Sequence, residues 1–103
     1  MEVITRFAPS PTGLLHLGAV RTAIFNFLVA EQQGGEFILR LDDTDKDRST
    51  EEFADQIKRD LEWVGIEWDR CEKQSERIEV YESIMQSLRV DDHVYECFET
   101  PKE

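Results

Sequence analysis

Arg6-Phe7-Ala8-Pro9-Ser10-Pro11-Thr12-Gly13-Leu14-Leu15-His16-Leu17-Gly18-Ala19-Val20-Arg21 is the stretch on which the reading of this chain turns. It begins where a short apolar strand, Val3 to Phe7, gives out, and it ends inside an amphipathic helix. Between them lie two prolines, a glycine, two hydroxyl residues and one histidine. A strand that feeds through such a loop into a helix N-terminus is a natural place to hold phosphate. The exposed N–H groups and the helix dipole both favour an anion there. No Gly-Lys-Ser/Thr follows the glycine and no Gly-x-Gly-x-x-Gly is present, so the loop is neither a Walker motif nor a dinucleotide fingerprint.

Working outward, Pro9 and Pro11 forbid continuation of the first strand in a sheet interior. A helix is expected from about Gly18 to Gln33, with Val20, Ala23, Ile24, Phe27 and Leu28 on its apolar face. Gly34-Gly35 stops it, and Glu36 to Leu41 is the second strand. Strand, helix, strand at this spacing implies a parallel pair with a right-handed crossover. Ligands of open α/β sheets bind beyond the C-terminal strand ends, where both residues 8–18 and residues 42–48 fall.

Asp42-Asp43-Thr44-Asp45-Lys46-Asp47-Arg48 reads as a polar turn, with Asp45 and Asp47 placed to arrange Arg48. Ser49 with Glu52 fits a capping box for a second helix, which carries Phe53, Ile57, Leu61 and Val64 and ends at Gly65. Ile66 to Asp69 is a short extended piece. A third helix is expected from about Ser75 to Leu88, with Ile78, Tyr81, Ile84, Met85 and Leu88 on one side, and a strand at His93 to Phe98. Trp63 and Trp68 flank a helix end between apolar residues and are assigned to the core. The two strands of the βαβ unit with three helices do not close a doubly wound sheet. The expected fold class is therefore α/β, the first half of a Rossmann-like nucleotide-binding domain with parallel strands and crossover helices.

The chain has 103 residues, 40% of them hydrophobic, which allows one modest core. Its formal net charge of −11 excludes general nucleic-acid binding by phosphate neutralisation. Cys71 and Cys97 form no C-x-x-C pair, which argues against a disulfide framework and against zinc. No apolar run approaches a membrane span and Met1 to Arg6 lacks a signal-peptide core, so a soluble cytoplasmic protein is expected.

Three chemical assignments follow from the residues. His16, at a helix N-terminus, can donate a hydrogen bond to a phosphate oxygen. Gly18 leaves room for a flat base against the backbone. Arg6 and Asp42, at the ends of adjacent strands, can clamp the two ends of a zwitterion, a guanidinium on a carboxylate and a carboxylate on an ammonium. A strand-end salt bridge between Arg6 and Asp42 is the structural alternative. Ser10 offers a hydroxyl to the same ligand, and ordinary turn chemistry is its alternative.

His16-Leu17-Gly18-Ala19 resembles the His-Ile-Gly-His signature of class I aminoacyl-tRNA synthetases. Arg6 to Gly13 is similar to the opening of the glutamyl-tRNA synthetases. The likeness continues through Arg21-Thr22-Ala23-Ile24-Phe25-Asn26, Leu39-Arg40-Leu41-Asp42-Asp43-Thr44-Asp45, Arg48-Ser49, Trp63 to Asp69, Gln74 to Arg77 and Tyr95-Glu96-Cys97. The resemblance implies ATP-dependent activation of L-glutamate and its transfer to tRNA-Glu, with Mg²⁺ accompanying ATP. It implies that Arg6, Ala8, Ser10 and Asp42 line the glutamate site. It implies that Pro9, Thr12, Gly13, His16, Gly18 and Ala19 belong to the ATP site, with His16 and Gly18 serving catalysis. Ala19 departs from the signature, which carries His or Gly at that place.

The resemblance also implies a division into residues 1–90, the N-terminal half of a class I synthetase catalytic domain, and residues 91–103, the start of an acceptor-binding insertion. The second class I signature, Lys-Met-Ser-Lys-Ser, is absent, so the 103 residues alone are expected not to complete aminoacylation. The paralogue that glutamylates queuosine in tRNA-Asp, a glutaminyl enzyme and a non-catalytic nucleotide- or partner-binding fold are the alternatives. Apolar strand edges and helix faces left without a cover would favour self-association.

Overall fold

Two backbone groups, the carbonyl of Val3 and the N–H of Glu36, meet at 2.9 Å where the sheet begins. The approach is so close that a Cβ on Gly35 would lie 2.1 Å from the Val3 oxygen. Only glycine fits there. The computed structural model describes residues 1–102. From this contact the strands Ile4–Phe7 (β1) and Glu36–Leu41 (β2) run parallel, with Ile4 opposite Glu36 and Phe7 opposite Leu39.

The helix Leu17–Gln32 (α1) joins them. A second helix, Glu51–Trp63 (α2), leads to a third parallel strand, Arg70–Lys73 (β3), which pairs Ile38 with Arg70 and Leu41 with Lys73. The sheet order is β1-β2-β3. Two right-handed crossovers stepping the same way put both helices on one face of the sheet. Thr5, Phe7, Phe37, Leu39 and Leu41 point to that face. The Thr5 hydroxyl donates to the Asn26 carbonyl of α1 at 2.7 Å, and Phe27 meets Phe37 edge-on at 5.9 Å between centroids. The core joins Phe7, Phe37, Leu39 and Leu41 to Ala23 and Ala30 of α1, to Ala54, Ile57 and Leu61 of α2, and to Ile66.

The parallel pair and its crossover stand as expected from the sequence, and several details differ. The third strand is Arg70-Cys71-Glu72-Lys73, whereas residues 93–98 adopt no regular structure. The buried line of α1 runs through Ala23 and Ala30 with Ala19 and Phe27 beside it, while Ile24 and Leu28 face solvent. Small side chains win that face because they let the helix axis approach the sheet. Trp63 is 87% exposed, and so is not core, whereas Trp68 packs against the core. The third helix starts as a 3₁₀ turn, Gln74–Arg77, and continues as Ile78–Val90 (α3). Its apolar side chains Tyr81, Ile84, Met85 and Leu88 remain partly exposed.

Each helix ends in the same way. After α1, the N–H of Gly34 donates to Glu31 and that of Gly35 to Ala30. After α2, Gly65 donates to Glu62 and Ile66 to Leu61; after α3, Asp92 donates to Arg89 and His93 to Leu88. These are Schellman closures, and the residue turning the chain has positive φ in every one: Gly34, Gly65 and Asp92.

The start of α2 corrects the capping-box expectation by one residue. Thr50, not Ser49, is the N-cap, its hydroxyl accepting from the Phe53 N–H at 3.1 Å. The Ser49 hydroxyl is buried with no partner among the described residues. Thr50→Ala should therefore cost about 1 kcal/mol in urea unfolding, whereas Ser49→Ala, which removes an unsatisfied group, should be neutral or stabilising. Equal losses for both would contradict this assignment of the cap.

Candidate functional site

The loop after β1 is held by the carbonyls of its two prolines. Pro9 accepts from the Asp42 N–H at 2.9 Å, and the fully buried Pro11 accepts from the Thr50 N–H at 3.2 Å. A proline lacks a donor but keeps its acceptor, so residues that end the strand still tie its loop to the neighbouring one. The 8–13 and 42–50 segments are thereby locked side by side at the C-terminal end of the β1–β2 pair. Within the first loop, Thr12 N–H donates to Ser10 at 2.8 Å, a tight turn that leaves Ser10 exposed.

A cavity of about 370 Å³ opens beside this loop. Ala8, Pro9, Ser10, Thr12, Gly13, His16 and Ala19 all line it, with Phe7 at its base. Arg6, Asp42 and Gly18 do not line it.

His16 is the N-cap of α1, and its Nδ1 accepts from the Ala19 N–H at 3.2 Å. That bond requires Nδ1 to be unprotonated, so the neutral ring carries its proton on Nε2, which remains a donor. Gly18 leaves room for the ring: a Cβ there would lie 3.2 Å from both Cε1 and Nδ1 of the imidazole. The first turn of α1 contains no acidic residue, whereas α2 carries Glu51 and Glu52 in its own first turn. The α2 terminus is compensated from within; the α1 terminus keeps its positive end open to an external anion.

Arg6 and Asp42 share the sheet face opposite the helices. Thr5 faces α1, so Arg6 points away from it, and the Arg6–Ile38 register with strand alternation places Arg6, Ile38, Arg40 and Asp42 together. The expected alternative, a salt bridge between Arg6 and Asp42, does not form. Asp42 is instead held by Arg40, whose Nε–H donates to Oδ1 at 2.6 Å and whose NH2 donates to Oδ2 at 3.1 Å. Arg6 has no hydrogen-bond or ion-pair partner among the described residues. Arg40 was missed at the sequence level, although its i, i+2 spacing to Asp42 on a strand signals a shared face.

The acidic turn is internally organised. Asp43 accepts from both the N–H and the hydroxyl of Ser75, at 2.8 and 2.7 Å, which fastens the turn to the segment after β3. Asp45 accepts from Arg48 Nε at 2.6 Å. Among the described residues, no group of three or more His, Cys, Asp or Glu side chains is arranged to hold a metal ion, and no helix is long and apolar enough to cross a membrane.

The family model for the catalytic domain of class I tRNA synthetases for glutamate and glutamine matches residues 2–103. Glutamate–tRNA ligase 2 of Jannaschia sp. (strain CCS1) is 59% identical over 99% of this chain and 23% of its own length. Glutamate–tRNA ligase 1 of Paracoccus denitrificans (strain Pd 1222) is 58% identical over 96% of this chain and 22% of its own. The crystal structure of a glutamate tRNA ligase from Elizabethkingia meningosepticum in complex with its amino acid superposes with a TM-score of 0.89 at 40% identity, over 99% of this chain and 22% of that one. The chain spans less than a quarter of the length of these relatives.

The Arg48 hydrogen bond holds the Asp45 carboxyl below the usual carboxylate range. A depressed carboxyl supports the folded turn above its unfolded pKa and withdraws that support as pH falls through the folded value. Arg48→Ala should move the Asp45 titration, followed by NMR, upward toward that of an ordinary aspartate. An unmoved titration would show that Arg48 is not the cause.

Proposed function

This chain belongs to the catalytic-domain family of class I tRNA synthetases for glutamate and glutamine, and from that we propose that it carries the glutamate- and ATP-binding part of a glutamate–tRNA ligase. Residues 1–90 form the first half of the nucleotide-binding domain and residues 91–103 begin the acceptor-binding insertion. The observation that carries the proposal is the open N-terminus of α1: a His16 cap with a donor to spare, no carboxylate in the first turn, and the adjoining cavity.

In the proposed reaction the glutamate α-carboxylate attacks the α-phosphorus of ATP. An O–P bond forms, the bond to the bridging oxygen breaks and pyrophosphate leaves. The 3′-terminal hydroxyl of tRNA-Glu then attacks the acyl carbon and AMP leaves. Both steps need positioning and charge stabilisation more than covalent help. His16 Nε2–H and the N–H groups at the start of α1 meet the triphosphate. Pro9, Thr12, Gly13 and Ala19 shape its cavity, and Gly18 leaves room for the imidazole. Arg6 takes a carboxylate of glutamate, Asp42 its ammonium, and Ala8 and Ser10 line the space between.

Mg²⁺ enters with ATP, zinc is not required, and the protein works in the cytoplasm, where its substrates meet. Ile24, Phe25, Leu28 and Val29, exposed on α1, favour self-association of this chain. Calorimetry separates the two binding roles. His16→Ala should weaken ATP binding about tenfold, the worth of one charge-assisted hydrogen bond, and leave glutamate binding unchanged, with Arg6→Ala doing the reverse. Indifference of both ligands to both substitutions would refute the proposal.

A further inference from the structure

On the open face of the sheet, Asp42 is fixed from two sides. Its backbone N–H is bound to Pro9, and both carboxylate oxygens are bound by the Arg40 fork. The pair is partly sheltered, with 28% of the Arg40 side chain and 25% of the Asp42 side chain exposed. A two-pronged guanidinium sets the plane of a carboxylate, which a single ammonium cannot do. Each oxygen accepts one N–H from Arg40 and keeps a lone pair for another donor.

We propose that Arg40 is a positioning residue that holds the Asp42 carboxylate in the orientation that receives the ammonium group of a bound amino acid. The proposal rests on the assignment of Asp42 to that ammonium. Because Arg40 pairs with Asp42, Arg6 is left without a hydrogen-bond or ion-pair partner among the described residues and is available to a carboxylate of the ligand. Asp42 bonding raises the Arg40 pKa further above its already high value, so the fork stays charged at any working pH. Glu72, opposite Arg40 in the strand register, also favours its charge.

Glutarate, the dicarboxylate that lacks the amino group of glutamate, tests the proposal. Binding of each ligand to the 103-residue chain is followed by NMR for the wild type, Arg40→Lys and Arg40→Gln, and Asp42→Asn, with urea unfolding as a check on folding. The wild type should bind glutamate more tightly than glutarate. Both Arg40 variants should weaken glutamate about tenfold, the worth of one charge-assisted contact, and leave glutarate unchanged. Arg40 variants that affect neither ligand, or weaken both equally, would overturn the positioning role. If the wild type did not prefer glutamate, or if Asp42→Asn left the preference intact, the assignment of Asp42 itself would fall and the proposal with it.

Discussion

The carbonyl of Val3 occupies the space a side chain on residue 35 would need, and everything functional in the molecule depends on that approach. It sets the register of β1 against β2, and the register brings the ends of the two strands level. From there the carbonyls of Pro9 and Pro11 tie one loop to the other. This close backbone approach lies at the N-terminal end of the sheet, and the candidate site lies at the opposite end. This is the usual division of labour in open α/β sheets.

Charge is distributed with the same economy. The chain is strongly acidic, with a net charge of −11, yet several carboxylates around the sheet are occupied. Asp42 is held by Arg40, Asp45 by Arg48, Asp43 by Ser75, and Asp69 accepts from the Phe37 N–H at 2.7 Å. Glu36 and Glu72 both engage Arg70. At the C-terminal end of the sheet, the Arg6 guanidinium has no partner among the described residues, and the first turn of α1 carries no acidic residue. An acidic protein can thus offer a local anion site without any basic surface.

Much of this was legible in the sequence, for identifiable reasons. The βαβ unit was visible because β2 is apolar and Gly34-Gly35 marks the end of α1. The loop after β1 was visible because two prolines and a glycine interrupt an apolar run just before a helical pattern. The third strand was not visible: Arg70-Cys71-Glu72-Lys73 is polar because it forms a sheet edge and pairs through its backbone. Residues 93–98 carry the β-favouring Val94, Tyr95 and Phe98 yet find no partner strand among the described residues. Trp63 was misplaced because an apolar neighbourhood in sequence does not say which side of α2 a residue occupies; Ala54, Ile57 and Leu61 hold the inner side. Arg6 and Asp42 were expected at the ends of adjacent strands with a salt bridge between them as the alternative, but the ion pair of Asp42 formed with Arg40, where two residues of spacing suffice.

The central claim is that one end of the β1–β2 pair is a single ligand-binding surface. An amide NMR titration of the ¹⁵N-labelled chain with a non-hydrolysable ATP analogue together with glutamate tests it most directly. The account predicts that the perturbed amides cluster in residues 8–19 and 40–45 and that α3 is silent. Perturbations confined to α3, or to the separate pocket between Lys46 and Lys73 at the start of α2, would contradict it.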